Sequence, residues 1–466
     1  MTDKLVIPQI DHLEIEDRRK HEAVGVEEIE EYRAYLAGEQ PSMLDLKQSS
    51  LLKSRDDHSS TANILKLIIQ STASRLRLQG WEVQDPSAPD TFSGIVVPRG
   101  SVEQLSTFLD DIWLRNQMKR LQYRTVVATL RDGNSVIMLE CRDNQIKYWL
   151  EPWWDGRSGT FVFYKNTDTY DYAVKDFKLR VSRSETVERR NVYLEGMIAR
   201  FVRKGTGWAE WSTPEMPAYE PLVRRDGRPL AIPVVHFQND SDDLSPVYGV
   251  SELTGLLGLQ DDLNALQSDI STVGYLTAFQ RLFVFGASVP AGDIKTSPGG
   301  VIGVPGDGSL QVIPPGDANG LLSIDEAKKQ AIATVSRTPM HSITGQWPSG
   351  AALLQADLPK IDQVEMLAEL MGPRYTLLAH RSTEYMNAYG TTSDLNEDIP
   401  ITSVFAPAQR IDELTDLEIR KKKADLWTTL SNLTLPAMIE AGVDPEVAKK
   451  IHEAKSQEVP FQDFGL

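Results

Sequence analysis

The chain has 466 residues, 41% of them apolar, and its 49 Lys and Arg against 66 Asp and Glu give a formal charge of −17. That length suits two to four globular domains at about 100–200 residues each and excludes a fibre or a tail, while the acidic balance excludes a protein that grips nucleic acid with its whole surface, since that affinity comes from Lys and Arg releasing counterions. The lone Cys141 rules out an intrachain disulfide framework, and with neither a signal-peptide start at Met1–Pro8 nor an apolar run of about 18 residues, neither secretion nor a membrane span is expected.

From Glu27 to Leu78 the pattern is helical, with Leu65, Ile68, Ile69, Leu76 and Leu78 marking an apolar face that ends at Gly80. Leu105, Phe108, Leu109, Ile112 and Trp113 predict a second helix from Val102 to about Lys119. Between Tyr123 and Trp211 the period changes to two. Val136 and Met138, then Ile146, Tyr148 and Leu150, alternate with polar residues, and Asp132-Gly133, Asp155-Gly156 and Gly205-Thr-Gly207 separate the segments, which predicts a meandering antiparallel sheet. Trp149, Trp153, Trp154, Phe161, Phe163 and Tyr164 could stack bases, but aromatics at strand spacing fit a sheet core better. Lys178, Arg180, Arg183, Arg189 and Arg190 form a basic cluster, which interspersed Asp176, Glu185 and Glu188 turn into a solvated strand face.

Ile232–Phe237 reads as a short buried strand, followed by a polar turn at Asn239–Asp243. The most regular helix runs from about Ser251 to Val273. Leu253, Leu256, Leu257, Leu263, Leu266, Ile270 and Val273 recur at threes and fours, with Asp262 and Asp269 seven apart on another face. At 1.5 Å per residue it is a strut of about 35 Å. Residues 286–320 hold nine glycines and five prolines among short Val/Ile runs such as Leu310-Gln-Val-Ile313, which predicts short strands and tight turns. Gly299–Gly306 lacks the Gly-Lys-Ser/Thr of a phosphate loop, and Pro305 removes an N–H. A helix returns from Ser323 to Arg337 with Ile324, Ala327, Ala331 and Val335 on one face, Ser323 and Glu326 as a capping box, and Thr338-Pro339 as its stop. The loop Thr344–Gly350 leads to a helix from Asp357 to Tyr389, kinked at Gly372-Pro373, and Asp412–Lys450 gives two more helices.

Catalytic motifs are missing. The seven histidines show no metal-binding spacing, no nucleophile elbow or kinase signature occurs, and Asp240, Asp242 and Asp243 do not make a calcium loop. The chain is therefore expected not to be an enzyme and to need no cofactor or metal. A mixed α/β enzyme remains a rival.

The order of elements resembles the portal, or head-to-tail connector, protein of tailed bacteriophages, in the branch typified by Bacillus siphophages. The segments that carry the resemblance are Leu109–Met118, Ile232–Asn239, Tyr248–Leu253 running into Leu259–Asn264, Phe279–Gly286 and Pro348–Leu353, spread over roughly residues 20–455. It implies an α+β portal fold assembled as a ring, with another ring-forming head-tail component of a virion as a rival. The mixed wing would be 1–248, the stem helix 249–278, the β-rich clip 279–322, the stem return helix 323–340, the tunnel loop, kinked tunnel helix and rest of the wing 341–408, and the helical crown 409–466. Such proteins form a dodecameric channel at one capsid vertex through which the terminase large subunit packages double-stranded DNA, later ejected. Further partners would be the head-tail adaptor and the major capsid and scaffold proteins, with no membrane, in a virion assembled in the host cytoplasm. The resemblance puts Gln346, Trp347, Ser349 and Gly350 in the tunnel loop, the kink at Gly372 and Pro373, and Pro298, Gly299, Gly300 and Asp307 on the clip facing adaptor or terminase. Asp262 and Asp269 of the stem would either line the channel, where carboxylates repel phosphates and keep DNA from sticking, or face solvent outside the ring. Two departures stand out: Leu354 sits where many relatives have a basic residue, and the crown is short.

Overall fold

The computed structural model describes residues 10–23, 25–41, 62–84, 101–183, 185–240, 247–277, 281–285, 309–313, 319–345, 350–391 and 395–408. The chain divides into Met1–Ala408 and Gln409–Leu466. The second unit, with the helices expected over Asp412–Lys450, lies outside the described residues.

Helix α1 (His12–Glu22) starts at Asp11, whose carboxylate accepts from the Leu13 and Glu14 amides. After a 3₁₀ turn, α2 (Ile29–Ala37) closes on Gly38 in the left-handed conformation. Helix α3 (Ile64–Arg75) is capped by Asn63, whose side chain also donates to the Tyr35 carbonyl of α2 at 2.9 Å. Helix α3 stops at Arg75 rather than near Gly80, because Leu76 turns extended and Leu78–Val83 forms strand β1. The two-residue step from Leu76 to Leu78 is strand alternation, and the Leu76 carbonyl accepts from Gln122 Nε2 at 2.8 Å.

The helix expected from Val102 to Lys119 is instead two helices, α4 (Ser101–Arg115) and α5 (Met118–Asp132), broken at Gln117 with φ 49°. Helix α5 occupies residues assigned above to the sheet. Its buried face carries Gln122, Thr125 and Thr129 beside Leu121, Val126 and Leu130, and the threonine hydroxyls bond back to the carbonyls four residues earlier.

The strands follow as β2 (Asn134–Arg142), β3 (Gln145–Glu151), β4 (Gly159–Tyr164), β5 (Tyr170–Arg180), β6 (Thr186–Leu194), β7 (Met197–Lys204), β8 (Gly207–Glu210), β9 (Tyr219–Pro221) and β10 (Val234–Gln238). The single meander expected resolves into two sheets, one of order β10-β2-β3 and one of order β4-β5-β6-β7-β8 with β9 on β7. Asp132-Gly133 is a helix-to-strand joint, while Gly205 and Thr206 form a two-residue hairpin loop. Asn116, in the break between α4 and α5, seals the edge of β3, accepting from the Tyr148 amide at 2.8 Å and donating to the Ile146 carbonyl at 3.0 Å.

Trp153, Phe161 and Phe163 are core, with Trp149 and Trp154 packed partly buried against them. His236 joins the two sheets. Asn134 Oδ1 already accepts from the Gly249 amide, so it also accepts from His236 Nε2 at 2.9 Å, leaving Nδ1 to accept from the Tyr164 hydroxyl at 2.7 Å. Burial holds the ring neutral, its pKa well below the usual value, stacked on Trp153. Gly133 and Gly249 meet backbone to backbone here. A Cβ on Gly249 would lie 2.4 Å from the Gly133 carbonyl oxygen and 2.5 Å from the Asn239 amide nitrogen.

Helix α6 (Leu257–Thr277) begins six residues after the expected start, because Ser251–Leu256 forms turns held by the Ser251 hydroxyl on the Arg131 carbonyl. Strands β11 (Arg281–Phe285) and β12 (Ser309–Ile313) pair antiparallel, with the expected Leu310–Ile313 run inside β12. Helix α7 (Asn319–Val335) starts a turn early, so the capping box does not form and the Ser323 hydroxyl bonds the Asn319 carbonyl at 3.0 Å. A short α8 (Met340–Thr344) precedes α9 (Gly350–Tyr389), 40 residues and about 60 Å long. Strand β13 (Ile401–Phe405) closes the fold by pairing antiparallel with β1.

Candidate functional site

Helices α6 and α7 form an antiparallel limb. Asp262 pairs with Lys328 at 2.8 Å while Gln267, further along α6, donates to Asp325, earlier on α7, at 3.5 Å. Inside the limb and at its root lie Leu263, Leu266, Ile332 and Ala333. Ile324, Ala327, Ala331 and Val335 share one face of α7 as expected, and that face is turned outward. Ile324 is 48% exposed and Val335 59%, with Leu322 beside them at 47%. The residues α7 buries are Asp325, Ile332 and Ala333, one step around the helix.

Asp262 and Asp269, seven residues apart on one face of α6, are both exposed. Asp262 is tied to Lys328, which offsets its charge on that face. Gly350 is the first residue of α9 rather than a loop position, and Gly345, at φ 75°, caps α8 on the near side of the loop. Gln346, Trp347 and Ser349, like Pro298, Gly299, Gly300 and Asp307, lie outside the described residues. Gly372 and Pro373 sit inside α9, whose helical assignment runs unbroken through them and through Pro359. Each proline still lacks the N–H that the helix ladder needs.

A buried polar joint ties the root of the limb to the foot of α9. Lys360 Nζ donates to Gln363 Oε1 at 3.0 Å and reaches the Ser336 carbonyl, just past the end of α7, at 3.4 Å. Gln363 passes the tie to Glu252 at 2.5 Å. Burial pushes the Lys360 ammonium down to about 8, against the pull of Glu252. Alongside, Asp357 bridges Arg75 of α3 at 3.1 Å and His341 of α8 at 3.5 Å. A groove of about 550 Å³ lined by Val335, Arg337, Met366 and Leu370 opens next to this joint. Chemically the joint is a clamp: a helix end, a helix foot and the turn before α6 share one chain of hydrogen bonds, so displacing one strains the others.

Sequence reading missed this joint, although Lys360 shares the helical stripe of Val364, Leu367, Met371 and Tyr375, all buried. A lysine in such a stripe signals a buried cation. The basic cluster also needs correcting. Lys178, Arg180 and Arg183 are exposed, but Arg189 and Arg190 are buried, Arg190 clamped onto Asp176 and Arg189 lying over Trp211. Their carboxylate and indole partners replace water, which the alternation of charges along the strand does not reveal.

No helix among the described residues is long and apolar enough to cross a membrane. No family model and no curated protein matches the chain. Among solved structures, it is similar to a chain from the neck of an empty GTA particle computed with C6 symmetry, at 13% identity and a TM-score of 0.41, covering 87% of this chain and 96% of that one. A chain from the neck of a native GTA particle computed with C12 symmetry matches at 13% identity and a TM-score of 0.36, covering 70% and 80%. Likeness of that degree assigns no role.

Proposed function

We propose that the chain is a portal-type subunit of the branch typified by Bacillus siphophages, twelve copies of which form a ring around a channel at one capsid vertex. Its role is structural rather than catalytic. Terminase drives double-stranded DNA through the channel, a head-tail adaptor later seats on the clip around Pro298–Asp307, and the assembly belongs to the virion. The supporting observation is the limb: two antiparallel helices with a paired strand segment between them, whose α7 leaves an apolar row uncovered among the described residues. A helix with an apolar outer stripe is incomplete alone, and a ring of identical copies covers the same stripe on every subunit. Acidic positions such as Asp269 suit a passage that must not hold DNA.

The test is negative-stain electron microscopy of the purified chain with its mass measured by light scattering. Rings with a central channel and a mass near twelve subunits are expected. A monomer at all protein and salt concentrations, with scaffold protein present as well, would overturn the reading. Deleting Gln346–Ser349 is then expected to leave rings intact and reduce DNA-filled heads; normal filled-head yield removes the loop from the mechanism.

A further inference from the structure

Where α1 crosses β5, β6, β7 and β8, a cavity of about 270 Å³ opens that the portal reading does not use. Its floor is built from Arg19 and Arg190 around one carboxylate. Arg19 meets Asp176 at 2.6 Å and Arg190 grips it through two nitrogens at 2.8 and 2.9 Å, with Glu16 more distant from Arg190 at 3.5 Å. The two arginine side chains are 2% and 3% exposed. Arg19 Nε and Arg190 Nη1 lie buried without a hydrogen-bond partner, so Asp176 does not satisfy both guanidinium groups in full. The rim adds Lys20, Arg157, Lys178 and Arg203 against Glu188, which Lys178 and Arg203 share loosely at 3.8 Å each, while Arg157 reaches Glu30 at 3.4 Å. His12, behind the floor, is pushed down to about 4 by burial and then by the Arg190 charge.

Positive charge is thus concentrated in one concave place on a chain of charge −17. The aromatic walls limit what can enter. Arg19 already lies over the Trp154 ring at 4.7 Å, and Arg190 and Arg203 over Trp208 at 4.2 and 5.5 Å, so guanidinium groups compete with any base for these rings. What the site still offers is charge and N–H donors, which favours a small multivalent oxyanion over a nucleoside.

We propose that this cavity binds phosphate groups, with Lys178 and Arg203 exchanging Glu188 for the ligand's oxygens above the Arg19–Asp176–Arg190 floor. The phosphate comes either from a free anion such as pyrophosphate or from a phosphodiester backbone. This inference does not depend on ring formation.

The test uses the full chain, with pyrophosphate titrated by calorimetry and followed through tryptophan fluorescence, since Trp154 and Trp208 line the cavity. Saturable binding is expected, and the double variant Lys178→Gln, Arg203→Gln, whose side chains are 60% and 41% exposed, is expected to fold normally and to bind at least about tenfold more weakly. Lys66→Gln, exposed on α3, serves as the control that changes nothing. Non-saturating titration of the wild type, or equal affinity in the double variant, overturns the proposal. Given binding, a duplex oligonucleotide that displaces pyrophosphate identifies the backbone as the source, and one that does not identifies the free anion.

Discussion

In the six-stranded sheet Phe161, Phe163, Val174 and Phe201 are buried, and even the charged Asp176 and Arg190 find partners inside the fold, whereas α7 leaves Leu322, Ile324 and Val335 about half exposed. One chain of one composition thus builds a body that covers its own apolar core and a limb that does not. The body's strands bury one face against α1 and bridge to the smaller sheet through Tyr164 and His236. In the limb, α6 and α7 cover each other on one side only. A self-sufficient region is broken by changes inside it; a region that relies on a neighbour is insensitive to surface changes until the neighbour is tested.

The largest effect is expected where the body's backbone approaches itself. Gly249→Ala puts a Cβ 2.4 Å from the Gly133 carbonyl, with backbone on both sides and no flexible side chain to yield. A loss of about 4 kcal/mol is expected in denaturant unfolding, since overpacking that moves backbone exceeds the usual range for single substitutions. A loss below about 1 kcal/mol would mean that the two segments separate readily and that the body is less closed than described.

Next comes Asp176→Asn, expected to cost about 3 kcal/mol because it leaves Arg19 and Arg190 buried without a counter-charge. Burial alone raises the Asp176 carboxyl, but hydrogen bonding and charge from Arg190 and Arg19 outweigh it and hold it below the usual 3.8. A carboxyl depressed in the folded state adds stability that is complete above its unfolded value and disappears as pH falls through its folded value. The wild type should therefore lose stability below about pH 4 by a component that the variant lacks. Parallel acid curves for the two proteins would remove Asp176 from that role.

Lys360 lies between the two regions and gives a smaller, pH-dependent effect. Its ammonium is lowered from 10.5 to about 8. Between those values the unfolded chain holds a proton that the folded chain has released, so stability should rise with pH across about 8–10.5, by up to roughly 3 kcal/mol. In Lys360→Met that rise should vanish. A slope that persists in the variant would belong to other groups.

The limb and the body also differ in how far the sequence revealed them. Period-two alternation through Val136, Met138, Ile146 and Tyr148 marked strands where strands occur, and Leu263 and Leu266 marked a helix. Helix α5 was hidden because Gln122, Thr125 and Thr129 occupy buried positions that a hydrophobicity pattern counts as polar. The partition into two sheets was hidden because pairing β2 with β10 is a contact across about a hundred residues, which no local pattern encodes. On the candidate site, sequence spacing placed Asp262 and Asp269 on one exposed face but could not show Lys328 against the first of them. It named an apolar face on α7 without showing what covers it, because an apolar stripe says what wants burial and not whether the same chain supplies the cover.

The smallest shift in stability is expected from Ile324→Ser with Val335→Ser. Both side chains are about half exposed and support no packing that the single chain would lose, so each change should stay within about 0.5 kcal/mol in unfolding measured where the chain is monomeric. Mass by light scattering should respond very differently, because a stripe repeated around a closed ring is buried once per subunit and its loss is multiplied by the number of interfaces. Loss of the ring with an unchanged monomer locates the cover of α7 in a second copy of the chain. Rings that persist in the double variant place the subunit contact elsewhere and leave this row as ordinary exposed apolar surface. A monomer destabilised by 2 kcal/mol or more would show that the limb, like the body, is covered from within.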